Sequence, residues 1–329
     1  MTSITSISFL GVVPIVGNVY DGEENQNDEN KNISAIEVMD NLLIMGADEG
    51  RTIKVLKYDG KAYKVEQSIS LRTSETTEND DGEVDVEGIA YENGNVYVVG
   101  SHSCKRSEVK PEQSYERNRK ALKKIKTEAR RDYLFRLHLD TASNIEHTSL
   151  QPIIDSKKVL QLFSQIPSKE NGIDIEGIAV YKERLYVGFR GPVLRGNWVP
   201  VLKCKFANPI TEADLLFVNL GGRGVRDIIR VDNGFLILAG PVGDGSDSYQ
   251  VYFWDGEDCI PGERTSGQVG QIEFLGEIPA YENMKAEGIA LIKEKKSDYE
   301  VMVVFDGVEN GAPVRLKIAK HPFKSTPAK

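Results

Sequence analysis

The sequence predicts an all-β protein, a five-bladed β-propeller, and three observations carry that prediction. First, the cassette Glu-Gly-Ile-Ala recurs at Glu87-Gly88-Ile89-Ala90, Glu176-Gly177-Ile178-Ala179 and Glu287-Gly288-Ile289-Ala290. Second, the first two copies run through a polar turn into another apolar strand, Val96-Tyr97-Val98-Val99-Gly100 and Leu185-Tyr186-Val187-Gly188. Third, alternating stretches follow such a pair, as at 199–206 and 215–220. That makes about four short antiparallel strands per unit, the content of one propeller blade. Recurrence over tens of residues signals a repeat architecture, because each unit buries its apolar face only against its neighbours.

Two degenerate copies complete the set. Ser34-Ala35-Ile36-Glu37-Val38 leads into Leu42-Leu43-Ile44-Met45-Gly46, and Arg226-Asp227-Ile228-Ile229 leads through Asp232-Asn233-Gly234 into 235–240. Units therefore begin near 34, 87, 176, 226 and 286, with a sixth, degenerate blade or an open sandwich as the alternatives. The last unit is one strand short after 314–318, and the apolar run at 7–13 is available to supply it and close the ring. Asn93-Gly94 and Asp232-Asn233-Gly234 are hairpin signals, since Asn and Gly accept the positive φ of tight hairpins.

The second unit carries an insertion at 105–131 with eleven Lys/Arg and four Asp/Glu. Residues from Ser114 to Arg131 are mostly strong helix formers, so a charged helix is expected at about 107–131. Its apolar stripe is thin (Tyr115, Ala121, Leu122, Ile125), which marks a solvated, protruding element. Arg117, Arg119, Lys123, Lys124 and Arg130 are its candidate partner-binding residues. Without interleaved aromatics the charge run is a poor nucleic-acid site. Two acidic loops, 21–29 and 75–83, complete the outline.

The 329 residues read as one domain, 1–329, with the insertion in its second blade. A net charge of −9 argues against whole-surface attraction to nucleic acid or anionic membrane. Cys104, Cys204 and Cys259 show no paired spacing, which suits free thiols in a reducing compartment and offers no zinc site. The N-terminal apolar run lacks a basic flank and cleavage site and is too short to span a bilayer. A cytoplasmic protein is expected.

In a blade the start of the inner strand and the end of the next strand share one face near the axis. That geometry gathers Ser34, Glu87, Glu176, Arg226 and Glu287 with Asp48, Glu49, His102, Arg190, Asp306 and the loop 240–245. Of these, Glu87, Glu176, Glu287, Arg190, Arg226, His102, Asp306 and Asp48 are the ligand-binding candidates. Asp85 and Asp174 stand two residues before their glutamates, a spacing that aims both carboxylates to one side of a strand. Asp85, Glu87, Asp174 and Glu176 are thus the metal candidates, for Ca²⁺ or Mg²⁺.

Three roles compete for this mouth. The acids satisfy neighbouring amides or pair with Arg190 and Arg226; or the mouth binds a metal or an anionic ligand; or paired carboxylates catalyse. No G-x-S-x-G elbow, Ser-His-Asp order or His-rich metal motif accompanies them. Gly221-Gly222-Arg223-Gly224 precedes a strand instead of a helix and reads as a tight connection between blades.

The D-[VI]-E-G-I-A runs, Gly100-Ser101-His102-Ser103, Phe189-Arg190-Gly191-Pro192, Gly224-Val225-Arg226-Asp227-Ile228 and Ala286-Glu287-Gly288-Ile289-Ala290 together resemble the bacterial DUF3616 family, over about 33–318. The resemblance implies a β-propeller of uncharacterised function, similar to phytase-like and esterase-like propellers that share the cassette. Some of those use calcium and act on phosphate esters. Glu87, Glu176 and Glu287 match the cassette acid, and Arg190 and Arg226 the family's arginines. Arg226-Asp227 in place of Glu-Gly, and Lys285 where 85 and 174 carry Asp, break the acidic ring. The expected function is a ligand- or protein-binding module acting through the polar mouth; the alternative is a metal-dependent hydrolase of phosphate or carboxylate esters.

Overall fold

The computed structural model of the chain describes residues 6–20, 30–72, 83–127, 129–141, 144–245, 247–264, 267–280 and 284–320. The acidic loop 21–29, and 75–82 of the second one, lie outside the described residues.

Five four-stranded antiparallel sheets form a propeller. Blade 1 is Ile33–Met39, Leu42–Ala47, Thr52–Tyr58 and Tyr63–Ser70, from the axis outward. Blade 2 is Val86–Glu92, Asn95–Gly100, Leu134–His138 and Glu146–Thr148. Blade 3 is Asp174–Tyr181, Arg184–Gly191, Trp198–Cys204 and Asp214–Asn219. Blade 4 is Gly224–Val231, Gly234–Gly240, Gln250–Trp254 and Ile272–Glu277. Blade 5 takes Lys285–Glu294, Asp298–Asp306 and Val314–Ala319 from the C-terminal part, and its outer strand is Ile7–Val12. The N-terminal run thus closes the ring as its pattern predicts, pairing Ile7 with Ile318 and Val12 with Val314.

Apolar side chains fill the spaces between successive blades. One such layer joins Ile36, Leu43, Met45 and Leu56 of blade 1 to Ala290, Met302 and Val304 of blade 5. The inner strands themselves stand side by side around the axis. The cassette glycines make that approach possible. A Cβ on Gly177 would sit 2.8 Å from the Asp227 Cα, and one on Gly88 3.0 Å from the Ile178 amide nitrogen.

The inner hairpins turn as their sequences ask, with two exceptions. Asn93 and Gly94 take φ of 51° and 85°, the left-handed pair of a tight hairpin. In blade 3 the same job falls to Lys182 and Glu183, with φ of 51° and 61°. Neither residue favours that region. The Glu92 carboxylate of blade 2 accepts from both of their amides, at 2.7 and 2.8 Å, and holds the turn. In blade 4 the expectation of positive φ at Asn233-Gly234 is not met: neither residue takes it. There the Asp232 amide donates to Glu294 of blade 5 at 2.8 Å. In both turns a carboxylate from the neighbouring blade accepts from the turn's backbone amides.

The insertion leaves blade 2 between its second and third strands. It is less helical than its composition predicts. The helix covers only Tyr115–Ala121, capped by Ser114, and buries no residue. Beyond it, Ile125–Thr127 pairs antiparallel with Cys104–Arg106, because with no apolar face to pack, a longer helix has little to hold it. Among the described residues no helix is long and apolar enough to cross a membrane, and Cys104, Cys204 and Cys259 are buried free thiols.

Candidate functional site: the cavity at the axis

A local irregularity aims the cassette acids. In every blade the ladder between the first and second strands skips one residue of the inner strand: Ser34, Glu87, Glu176, Arg226 and Glu287. A residue bulged out of the ladder no longer follows the pleat, and all five line one cavity at the axis. The cavity measures about 690 Å³, within the usual range for small-molecule sites. Asp48, Asp85, Asp174, Arg190 and Asp306 line it too. Sequence reasoning missed Asn32, Ser103, Lys105 and Tyr249 in the same wall.

On the side of blades 3 to 5 the charges are interlocked. The Arg226 guanidinium, 4% exposed, lies between Glu176 (Nη1 to Oε2, 2.9 Å) and Glu287 (Nη2 to Oε1). Arg190 bridges Glu176, at 2.6 Å, and Asp174. Burial pushes the Asp174 and Glu176 carboxyls up to about 7, against the pull of Arg190 and Arg226. The same carboxylates raise Arg190 and Arg226 above the usual guanidinium value, although burial alone would lower them.

The side of blades 1 and 2 is different. Asp85 is held by Arg131 (Nη1 to Oδ2, 3.0 Å), by the Ser101 hydroxyl, and by Lys105 at 3.4 Å. Arg131 also reaches Glu83 at 2.7 Å. Glu87, however, makes no hydrogen bond or ion pair among the described residues. Burial and then the neighbouring charges of Asp85, Glu176, Asp174 and Asp48 lift its carboxyl well above the usual range. Asp48 is raised as well, by burial and by Asp85, and its buried Oδ1 has no hydrogen-bond partner among the described residues. Asp85 sits at φ 58°, a left-handed conformation beside the open acid.

Other predicted residues have different fates. Asp306 reaches the cavity and pairs with Lys285 at 3.0 Å. His102 does not line it. Its left-handed backbone (φ 51°) turns the ring into the blade, where Nδ1 meets the Gly100 carbonyl at 2.9 Å and Nε2 accepts from the Leu150 amide at 3.1 Å. Burial lowers it to about 4, so it is a neutral packing residue and leaves the ligand set. Arg117, Arg119, Lys123 and Lys124 are exposed on the insertion, and Arg130 is half-buried there; none lines the cavity. The loop 240–245 contributes Pro241, Gly243, Asp244 and Gly245 to the wall, and Gly221 and Gly222, both with positive φ, make the tight link into blade 4.

The residues expected to hold Ca²⁺ or Mg²⁺ do not fit a metal as they stand. Asp85 belongs to Arg131, and Asp174 and Glu176 to the arginine ladder. Among the described residues no group of three or more His, Cys, Asp or Glu is placed to hold one.

The family model for DUF3616, a protein family of unknown function, matches residues 32–153 and 140–317. The chain belongs to that family. No curated protein matches its sequence. Among solved structures the chain is similar to Myxococcus xanthus glutaminyl cyclase (10% identity, 95% of each chain covered, TM-score 0.46). It is also similar to an exo-1,5-α-L-arabinanase from a bovine ruminal metagenomic library (10% identity, 88% of this chain and 98% of that one, TM-score 0.40). A third likeness is to Kuenenia stuttgartiensis hydrazine synthase (11% identity, 87% of this chain and 66% of that one, TM-score 0.40). Likenesses this distant say nothing of chemistry.

Proposed function

We propose that the protein is a ligand-binding propeller whose axial cavity takes a small cation against Glu87 and Asp48. One observation carries this reading: the Glu87 carboxyl faces the cavity with no partner among the described residues, whereas the acids across from it are locked to arginine. An anionic ligand would need a free cation, and here Asp174, Glu176 and Glu287 take the guanidinium groups of Arg190 and Arg226, while Lys105, Lys169 and Lys285 pair with Asp85, Asp244 and Asp306. A cation arriving at Glu87 gains a charge-assisted hydrogen bond and favours the ionised form of a carboxyl that burial and the neighbouring acids push toward the neutral one.

Calorimetric titration tests this with methylammonium and guanidinium, with Ca²⁺ and Mg²⁺ as metal controls that the site is not expected to hold, and with phosphate and citrate as anions. The expected result is saturable binding of a cation, tighter at pH 8 than at pH 6, released protons, and at least about tenfold weaker binding in Glu87→Gln. Binding of the anions alone, or cation binding indifferent to Glu87→Gln, overturns the assignment.

A further inference from the structure

The insertion bears on the same cavity. Its Arg106, Ser107, Glu108, Val109 and Leu122 form the outer part of the wall. Val109 and Leu122 are 49% and 46% exposed, large apolar side chains left open beside an acidic floor. They are fixed in place and not hanging free. Arg106 pairs with Glu170 on the approach to blade 3 (Nη2 to Oε2, 2.8 Å) and donates through Nη1 to the Leu122 carbonyl at 2.5 Å. Asn118 closes the tongue by donating to the Lys110 carbonyl at 2.9 Å and accepting from its amide at 3.0 Å. Pro167, Pro241 and Tyr249 continue the less polar rim on the body.

We infer that the insertion is the specificity wall of the cavity and selects a linear amine, a cationic head on an alkyl stem, over a compact cation. The inference rests on the cation reading above and adds the part of the ligand that Glu87 does not see. The head lies against Glu87 and Asp48, and the stem runs outward along Leu122 and Val109. Charge complementarity fixes the head, and the exposed side chains give the stem an apolar surface to cover. Arg106 is a positioning residue: its guanidinium is taken up by Glu170 and the Leu122 carbonyl and holds the Leu122 segment against the body.

The test is a homologous series from methyl- to hexylammonium titrated into the full chain, with Ca²⁺ as a cation that has no stem. In the wild type each methylene that reaches the wall strengthens binding by up to about fourfold. Leu122→Ser and Val109→Ser flatten that series. Arg106→Gln flattens it in the same way, with an unchanged melting temperature excluding misfolding. A flat series in the wild type, or a slope that survives Leu122→Ser and Val109→Ser together, overturns the wall while the cation reading stands. No cation binding at all overturns that reading first and this inference with it.

Discussion

Glu176 and Glu87 hold the same place in the same cassette, are bulged from the ladder in the same way, and end in opposite electrostatic circumstances. Glu176 is gripped by Arg190 and Arg226; Glu87 has no partner among the described residues. The order of bulged residues around the ring explains the contrast. Arg226 of blade 4 stands between Glu176 and Glu287, so both neighbours gain a cation. Glu87 stands between Glu176 and Ser34, and Ser34 spends its hydroxyl on the Val86 carbonyl. The cassette therefore fixes where a side chain stands, and the adjacent blade decides what that side chain can do. Arginine at 226, with Arg190 beside it, and serine at 34 divide the cavity into a structural half and an open half.

The largest effect should come from breaking the structural half. Arg226→Met leaves Glu176 and Glu287 buried without their shared cation and is expected to destabilise the protein by about 3–5 kcal/mol at pH 8. Chemical denaturation measures it. The loss should shrink toward pH 5, where the abandoned carboxyls protonate, and adding Glu176→Gln should recover part of it. A loss below about 1 kcal/mol would show that the ladder does not hold these blades together.

Next in size is a packing contrast between the halves. In Gly177→Ala the new methyl meets the Asp227 backbone at 2.8–2.9 Å, and backbone gives way poorly. In Gly88→Ala the nearest atoms, of Ile178, stand at 3.0 Å. Gly177→Ala should cost about 2–3 kcal/mol, toward the upper end of overpacking effects, and Gly88→Ala less. Equal losses in the two variants would mean that the blade 2–3 seam is packed as tightly as the blade 3–4 seam.

The sequence made much of this legible, for physical reasons that also mark where legibility ends. Strand alternation and the repeated cassette foretold five blades, and an orphan run at 7–13 foretold the closing strand, because both are local patterns. The ring of Ser34, Glu87, Glu176, Arg226 and Glu287 followed from blade geometry. The ladder bulge behind it has no signature beyond its own recurrence. His102 was misplaced because one left-handed residue reverses a side chain, and Asp/His-type residues enter that region without a glycine to announce it. Arg131 was hidden in a charge run that read as solvated, yet it is buried on Asp85 and Glu83. The same run also gave an overlong helix, since helix propensity does not see a strand partner such as Cys104–Arg106.

The smallest effect is the most informative about the open half. Glu87→Gln should stabilise the ligand-free protein, and the gain should grow with pH. The folded state holds the Glu87 carboxyl well above the usual carboxylate range, whereas the unfolded chain releases that proton near pH 4.3. Above that pH the native state binds more protons than the unfolded one, so stability falls as pH rises toward the folded value. Glutamine has no proton to lose and removes that slope. Asp174 and Glu176, at about 7, and Glu37, at about 8, keep theirs, so a shallower decline remains in the variant. His102, neutral in the fold, loses stability only as pH drops below about 6.5, and it does so equally in both proteins. The melting temperature of Glu87→Gln minus that of wild type should therefore be near zero at about pH 4 and positive by a few degrees at pH 8. With a binding cation present the sign should reverse, because the wild type then gains a partner that glutamine cannot hold. A variant less stable than wild type at pH 8 without ligand would mean that Glu87 is ionised and satisfied in the fold, and the two halves of the cavity would then be alike.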